Sequence, residues 1–99
     1  MTNLRELARG QDCTIRIPGC PNATETTVLC HYRLAGTCGG SLKPPDTLGA
    51  WGDHFCHSRV DGPVKCDLSH EELRLYHAEG VMRTLYKLHQ LGYEMRMKK

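Results

Sequence analysis

No apolar run in this chain approaches the roughly 20 residues a membrane-spanning helix needs, so no membrane partner is expected. No cleavable targeting segment is expected either, because Met1-Thr2-Asn3-Leu4-Arg5-Glu6-Leu7 places charges where an apolar stretch would lie. The expected compartment is therefore the cytoplasm, where thiols stay reduced. Aromatic residues are scarce, with one Trp and one Phe, and only 39% of the 99 residues are apolar. A chain of this size and composition makes one thin-cored domain over residues 1–99, and such domains commonly carry an extra staple. There is no internal repeat and no low-complexity tract. There is also no Cys-x-x-Cys pair, which counts against a thiol redox protein. Net charge is only +2, too little by itself to point to nucleic acid.

What the chain does have is six cysteines and six histidines. In a reducing compartment this favours metal over disulfides, which would require secretion. Charge is also uneven: Asp67, Glu71, Glu72 and Glu79 precede a basic C-terminal stretch of Arg83, Lys87, Arg96, Lys98 and Lys99. The plain reading is a solvated helix face and tail; the sharper one is phosphate contact.

Local signals predict a short helix over residues 2–10 ended by Gly10, and a short strand over Cys13–Ile17 from its polar–apolar alternation. Pro18-Gly19-Cys20-Pro21-Asn22 reads as a turn, and residues 26–32 as a strand rich in β-branched and apolar residues. Residues 35–50, rich in Gly and Pro, read as a long loop, and Asp53–Asp61 as a short helix stopped by Gly62-Pro63. Ser69 and Glu72 form a capping box opening a long helix to about Leu91, with Gly92 after it. Leu73, Tyr76, Val81, Leu85, Leu88 and Leu91 form its apolar stripe, widened by Leu75, Ala78, Met82 and Tyr86. A face that broad packs over the small metal domain or also pairs with another chain, as a homodimer through this helix.

Two kinds of metal chemistry are present. A hairpin turn at Pro18-Gly19 can bring Cys13 and Cys20 together, and Cys56 with either Asp53 or His54 completes four donors for a structural zinc. Cys30, Cys38 and Cys66 have no second pair and read as ordinary residues. His57 follows Cys56 and is turned about 100° from it on a helix, with Asp61 one turn further on. An imidazole and a carboxylate suit a divalent ion of the Mg²⁺ type with open positions. His31, at the end of Thr27-Val28-Leu29-Cys30-His31, could take a proton from water near neutral pH. The plain alternatives are a strand-end surface histidine and a helix-end hydrogen bond. His70, His77 and His89 read as surface or packing residues.

A cysteine pair, a strand ending in His, a Gly-rich loop and a Cys-His helix start follow in that order. This order resembles the HNH or His-Me finger nucleases, whose ββα-metal core is often joined to a treble-clef-like zinc site. More closely, Arg5-Glu6-Leu7-Ala8-Arg9, Arg16-Ile17-Pro18-Gly19, Glu25-Thr26-Thr27-Val28-Leu29, His31-Tyr32-Arg33-Leu34-Ala35-Gly36, Leu42-Lys43-Pro44-Pro45-Asp46 and Gly49-Ala50-Trp51 look like the small phage and prophage nucleases of the YbcO type. The similarity covers about residues 4–90. It implies an α+β fold, a small zinc-containing ββα-metal domain of about residues 11–63 with a long C-terminal helix of about 69–91. It implies His31 as general base and His57 as catalytic metal ligand, with Asp46 near the family's middle polar residue, which braces the loop. Cys13, Cys20 and Cys56 match its zinc positions, while Asp53 stands where a cysteine is expected.

The expected activity is metal-dependent DNA endonuclease chemistry of the phage recombination type. Arg33, Lys43, Arg59 and the basic tail would contact the backbone, and DNA shape would dominate recognition. The competing expectation is a zinc-stabilised nucleic-acid-binding module without catalysis.

Overall fold

Asn3 opens the first helix, α1 (Leu4–Ala8), by accepting the Arg5 backbone N–H on its side-chain oxygen at 2.9 Å. Gly10, at φ 80°, then turns the chain away in the left-handed region where glycine carries no Cβ penalty. The computed structural model describes residues 3–34, 36, 45–61 and 64–92. Most of the expected Gly/Pro loop, with Cys38 and Lys43, lies outside the described residues, as do the Gly62-Pro63 stop and the basic tail beyond Gly92.

The sheet has two antiparallel strands, β1 (Val28–His31) and β2 (Gly49–Gly52), paired from Val28 opposite Gly52 to His31 opposite Gly49. The expected strand over Cys13–Ile17 does not form. Arg16 sits at φ 57°, outside the extended region, and the segment bends onto β2 instead. Thr14 N–H donates to the Trp51 carbonyl at 2.7 Å, and the Thr14 hydroxyl accepts the Trp51 N–H at 3.0 Å. The Thr84 hydroxyl accepts the same N–H at 3.1 Å and lies 2.8 Å from the Thr14 hydroxyl. Two buried hydroxyls thus satisfy the outer edge of β2, where a third strand would otherwise pair.

Helix α2 (His54–Val60) begins at Asp53, and helix α3 (His70–Gln90) begins at Ser69 with the complete capping box: Ser69 Oγ accepts Glu72 N–H at 3.1 Å and Glu72 returns at 2.9 Å. Of the expected α3 stripe, Val81 and Leu88 are buried and Leu73, Tyr76 and Leu85 pack partly buried against the core. The inward face is His77, Gly80, Val81, Thr84 and Leu88, at i, i+3, i+4, i+7 and i+11. Leu91 is 56% exposed, and Leu75, Met82 and Tyr86 are 59–62% exposed. At Gly80 a Cβ would lie 3.0 Å from Ile15 Cα and 3.1 Å from Ala50 Cβ, so the helix backbone rides directly on the 13–17 segment and β2.

One core cluster joins Cys13, Ile15, Ile17, Cys30, Ala50, Cys56 and Val81; a second joins Ala8, Trp51 and Leu88, ringed by Leu4, Leu7 and Leu29. Burial of Ile15 alone contributes about 1.5–3 kcal/mol. The result is a small α+β fold in which α3 and the bent 13–17 segment fix the sheet, and the sheet presents His31 at one end. No helix among the described residues is long and apolar enough to cross a membrane.

Candidate functional site

The thiol cluster is assembled by short-range turn chemistry. Cys20 N–H donates to Ile17 O at 2.9 Å across Pro18-Gly19, and Gly19 adopts φ 92°, as the third position of a type II turn requires. Asn22 holds the other arm, since its side-chain oxygen accepts Cys13 N–H at 2.7 Å and its amide donates to Asp12 at 3.1 Å. Asp53 then brings in α2. Its Oδ1 caps the helix by accepting Cys56 N–H at 3.0 Å, while Oδ2 accepts Ala23 N–H at 3.0 Å and the Cys20 thiol at 3.3 Å.

The outcome is that one donor atom from each of Cys13, Cys20, Asp53 and Cys56 lies within 4.8 Å of all the others. A tetrahedral zinc with sulfur ligands at about 2.3 Å sets its donors about 3.8 Å apart, so this set needs only a small contraction to close on an ion. Of the two candidates for the fourth donor, Asp53 is in the group; His54 is exposed, its N–H bound to the Thr26 hydroxyl at 2.9 Å.

The electrostatics show the strain of packing acids together. The Cys13 thiol is pulled down to about 6, chiefly by the hydrogen bond it receives from Cys56. Giving that hydrogen bond, and burial, push Cys56 up. Burial pushes Cys20 up to about 11. Burial also works against the Asp53 carboxylate, but the backbone N–H groups of Cys56 and Ala23 outweigh it and hold Asp53 below its usual range. Cys13 and Asp53 are thus favoured as anions while Cys20 and Cys56 keep their protons, and a divalent cation among them would stabilise every thiolate. Cys30, pushed to about 12 by burial, behaves as a buried small apolar residue.

Beyond Cys56, α2 turns its next residues outward. His57 and Asp61, one turn apart, approach to 3.9 Å between Nε2 and Oδ2. A cleft of about 200 Å³ is lined by Arg5, Leu29, Cys30, His31, Arg33, His57 and Asp61. The structure thus brings His31, His57 and Asp61 to one opening. Asp46 is not among its lining residues; it lies beside it, its Oδ1 2.6 Å from His31 Nε2 and 3.4 Å from Arg5 Nε. The hydrogen bond with His31 is the main reason that the Asp46 carboxyl is held below its usual range.

A second cavity of about 350 Å³ shares His31, Arg33 and Asp61 and continues to Arg59, His70, Arg74 and His77. A further depression beside the thiols is lined by Asp12, Arg16 and Asn22, and contains no histidine. Sequence reasoning missed Arg5 and Arg74, and it read His70 and His77, which also line the second cavity, only as surface or packing residues. His77 is 7% exposed, and its Nε2 donates to the Cys30 carbonyl at 2.9 Å, fixing the residue before His31. Burial holds His77 below its ordinary value, in the neutral form. Its register with Val81, Thr84 and Leu88 on α3 was the signal available in the sequence.

Comparison with known proteins agrees with this architecture. Two relatives described as "Putative nuclease YbcO", from Escherichia coli strain K12 and from Enterobacteria phage 82, are each 47% identical to this chain over 62 residues. That match covers 62% of this chain and 65% of each relative, just under two thirds of their length. A solved structure described as a "putative bacteriophage protein from Escherichia coli str. K-12 substr. MG1655" superposes with a TM-score of 0.73 at 31% identity, covering 89% of this chain and 98% of that one. The sequence model of one family matches residues 2–93, a span that takes in the thiol cluster, the histidine cleft and all of α3, and the chain belongs to that family, described as "Putative nuclease YbcO".

Proposed function

We propose that this chain is a metal-dependent DNA endonuclease with an HNH-type ββα-metal core. The observation that carries the reading is the shared opening of His31, His57 and Asp61, three residues from a strand end and a helix, flanked by Arg5 and Arg33. Cys13, Cys20, Asp53 and Cys56 would hold a structural zinc, giving the treble-clef-like half of the domain. His57 and Asp61 would hold a Mg²⁺-like ion, which supplies charge stabilisation to the scissile phosphate and the leaving oxygen.

His31 is the general base. Asp46, ionised, accepts the Nε2–H of His31, which fixes the tautomer and leaves Nδ1 to take the proton of the attacking water. The water oxygen bonds to phosphorus, the bond to the leaving sugar oxygen breaks, and the proton passes to Nδ1. Arg5 shares the Asp46 carboxylate and keeps it from rotating away. Arg33 and Arg59, with Lys43 and the basic tail, contact the DNA backbone. The domain spans residues 1–99 and works in the cytoplasm, and the exposed Leu75, Met82 and Tyr86 on α3 support pairing with a second copy.

Nicking of supercoiled plasmid with and without Mg²⁺ tests this. Wild type should nick only with the ion, and His31→Ala should lose at least about 100-fold in rate, the usual contribution of a general base. Full metal-dependent activity in His31→Ala would sink the assignment, and absence of cleavage with any divalent ion would favour the binding module.

A further inference from the structure

Two arginines in the cavity adjoining the cleft are built unlike the other paired arginines. Arg59 lies over the Phe55 ring at 3.6 Å, with Nη1 donating to Phe55 O at 2.9 Å. Arg74 lies over the Tyr32 ring at 4.5 Å, with Nη2 donating to Arg33 O at 3.3 Å. Arg5 and Arg83 instead pair with Asp46 and Glu79. Among the described residues, neither Arg59 nor Arg74 forms an ion pair with a carboxylate. A guanidinium stacked on a ring with one N–H anchored keeps its remaining in-plane donors in a fixed fork, and that fork matches a phosphate. Stacking also removes rotamer freedom that would otherwise be lost on binding.

Both line the same cavity as Arg33 and His70, with Asp61 as the single carboxylate among its described lining residues, and that cavity runs into the His31–His57 cleft through His31, Arg33 and Asp61. We propose that this arginine cavity is a second phosphate subsite, holding a phosphodiester of the bound DNA strand next to the scissile one, with Arg59 and Arg74 as its positioning residues. The placement next to the scissile phosphate rests on the endonuclease reading; the phosphate binding does not. Continuity with the cleft makes a strand phosphodiester the occupant rather than a free phosphate. A strand gripped there is held in register while a single bond is presented to His31.

Binding of a labelled duplex, measured without added divalent ion and without chelator across a salt series, tests the subsite apart from cleavage; gels confirm that the duplex stays uncut. Arg59→Gln/Arg74→Gln should bind about tenfold more weakly, the loss of one charge-assisted contact, and its log–log salt slope should flatten by about 0.9, one phosphate on B-DNA. Arg9→Gln/Lys65→Gln, which removes two exposed cations outside the cavity, should change the slope less. Arg59→Lys/Arg74→Lys keeps charge without the fork; it should keep the slope and still lose affinity, and it decides the matter if the glutamine pair does not fold. Equal loss in both glutamine pairs, unchanged affinity in the lysine pair, or no binding by wild type overturns the subsite. Displacement of the duplex by inorganic phosphate at matched ionic strength overturns the strand assignment. Intact binding with no cleavage under any metal overturns the endonuclease reading alone.

Discussion

Substitution of Asp53 separates its two jobs. In Asp53→Ala the α2 cap is lost, worth about 1 kcal/mol, and the Ala23 N–H, which now donates to Oδ2, is left without its partner at about 1–3 kcal/mol more. The metal-free protein should therefore melt roughly 8–32 °C lower, given about 4–8 °C per kcal/mol for a domain of this size. If Asp53 is also the fourth donor, a separate loss appears only with zinc. Free metal at about 100 times its Kd stabilises the folded state by about 2.7 kcal/mol, and that increment should shrink or vanish in Asp53→Ala. Asp53→Cys should behave differently: the cap is lost, but the thiol replaces the donor, so the zinc-dependent rise in melting temperature should survive. His54→Ala should leave zinc content and stability unchanged, because His54 is exposed and outside the cluster.

The assay is zinc stoichiometry by chromogenic chelator after thiol release, together with thermal melts with and without zinc. One zinc per chain in Asp53→Ala at wild-type affinity would refute the fourth-donor reasoning, and zinc loss in His54→Ala would transfer the role to the imidazole.

Three further outcomes follow from the packing. Burial holds His77 neutral below its ordinary value of 6.5, so the unfolded chain takes up the proton first and stability falls as pH drops below about 6.5 towards the folded pKa; urea unfolding at about pH 7.5 and about pH 5.5 should show this, and His77→Gln should weaken that dependence. Gly80→Ala gains about 1 kcal/mol of helix propensity but crowds Ile15 and Ala50 at 3.0–3.1 Å, and overpacking at about 1–3 kcal/mol should leave a net loss; a raised denaturant midpoint would contradict the close approach of α3. Thr27→Val removes a buried hydroxyl that has no hydrogen-bond partner, and should leave stability unchanged or raise it by up to about 1 kcal/mol; a clear loss in chemical denaturation would mean the hydroxyl is bonded in solution.

What the sequence made legible was local. The Ser69–Glu72 box, the Pro18-Gly19 turn and the Asp53 helix start are each set by residues within a few positions, and all appear where the pattern puts them. The hairpin was not legible. Alternation over Cys13–Ile17 suggested the second strand, yet β2 is Gly49-Ala50-Trp51-Gly52, half glycine, which carries almost no strand propensity of its own. Its outer edge is satisfied by Thr14 and Thr84, 37 and 33 residues from Trp51. His77 was hidden for the same reason, since its acceptor is the Cys30 carbonyl, 47 residues away. In the site, the thiols were found by spacing, but the arginine cavity depends on Tyr32, just past β1, meeting Arg74 of α3, even though Phe55 and Arg59 sit one turn apart on α2.

The aspartate that departs from the expected cysteine pattern is intelligible on these terms. A cysteine at 53 would supply a sulfur to the cluster but no good cap for a helix of only seven residues. The carboxylate offers one oxygen to the Cys56 N–H and the other to the thiol side. Because α2 is short, the same bond that starts it also sets its rotation, and that rotation decides that Cys56 faces the core while His57 and Asp61 face the cleft. Whatever tightens the Cys13–Cys20–Asp53–Cys56 cluster therefore also fixes the two outward side chains. Under the proposed function, metal removal from the thiol cluster should impair cleavage through the orientation of His57, even though no cluster residue touches the scissile phosphate.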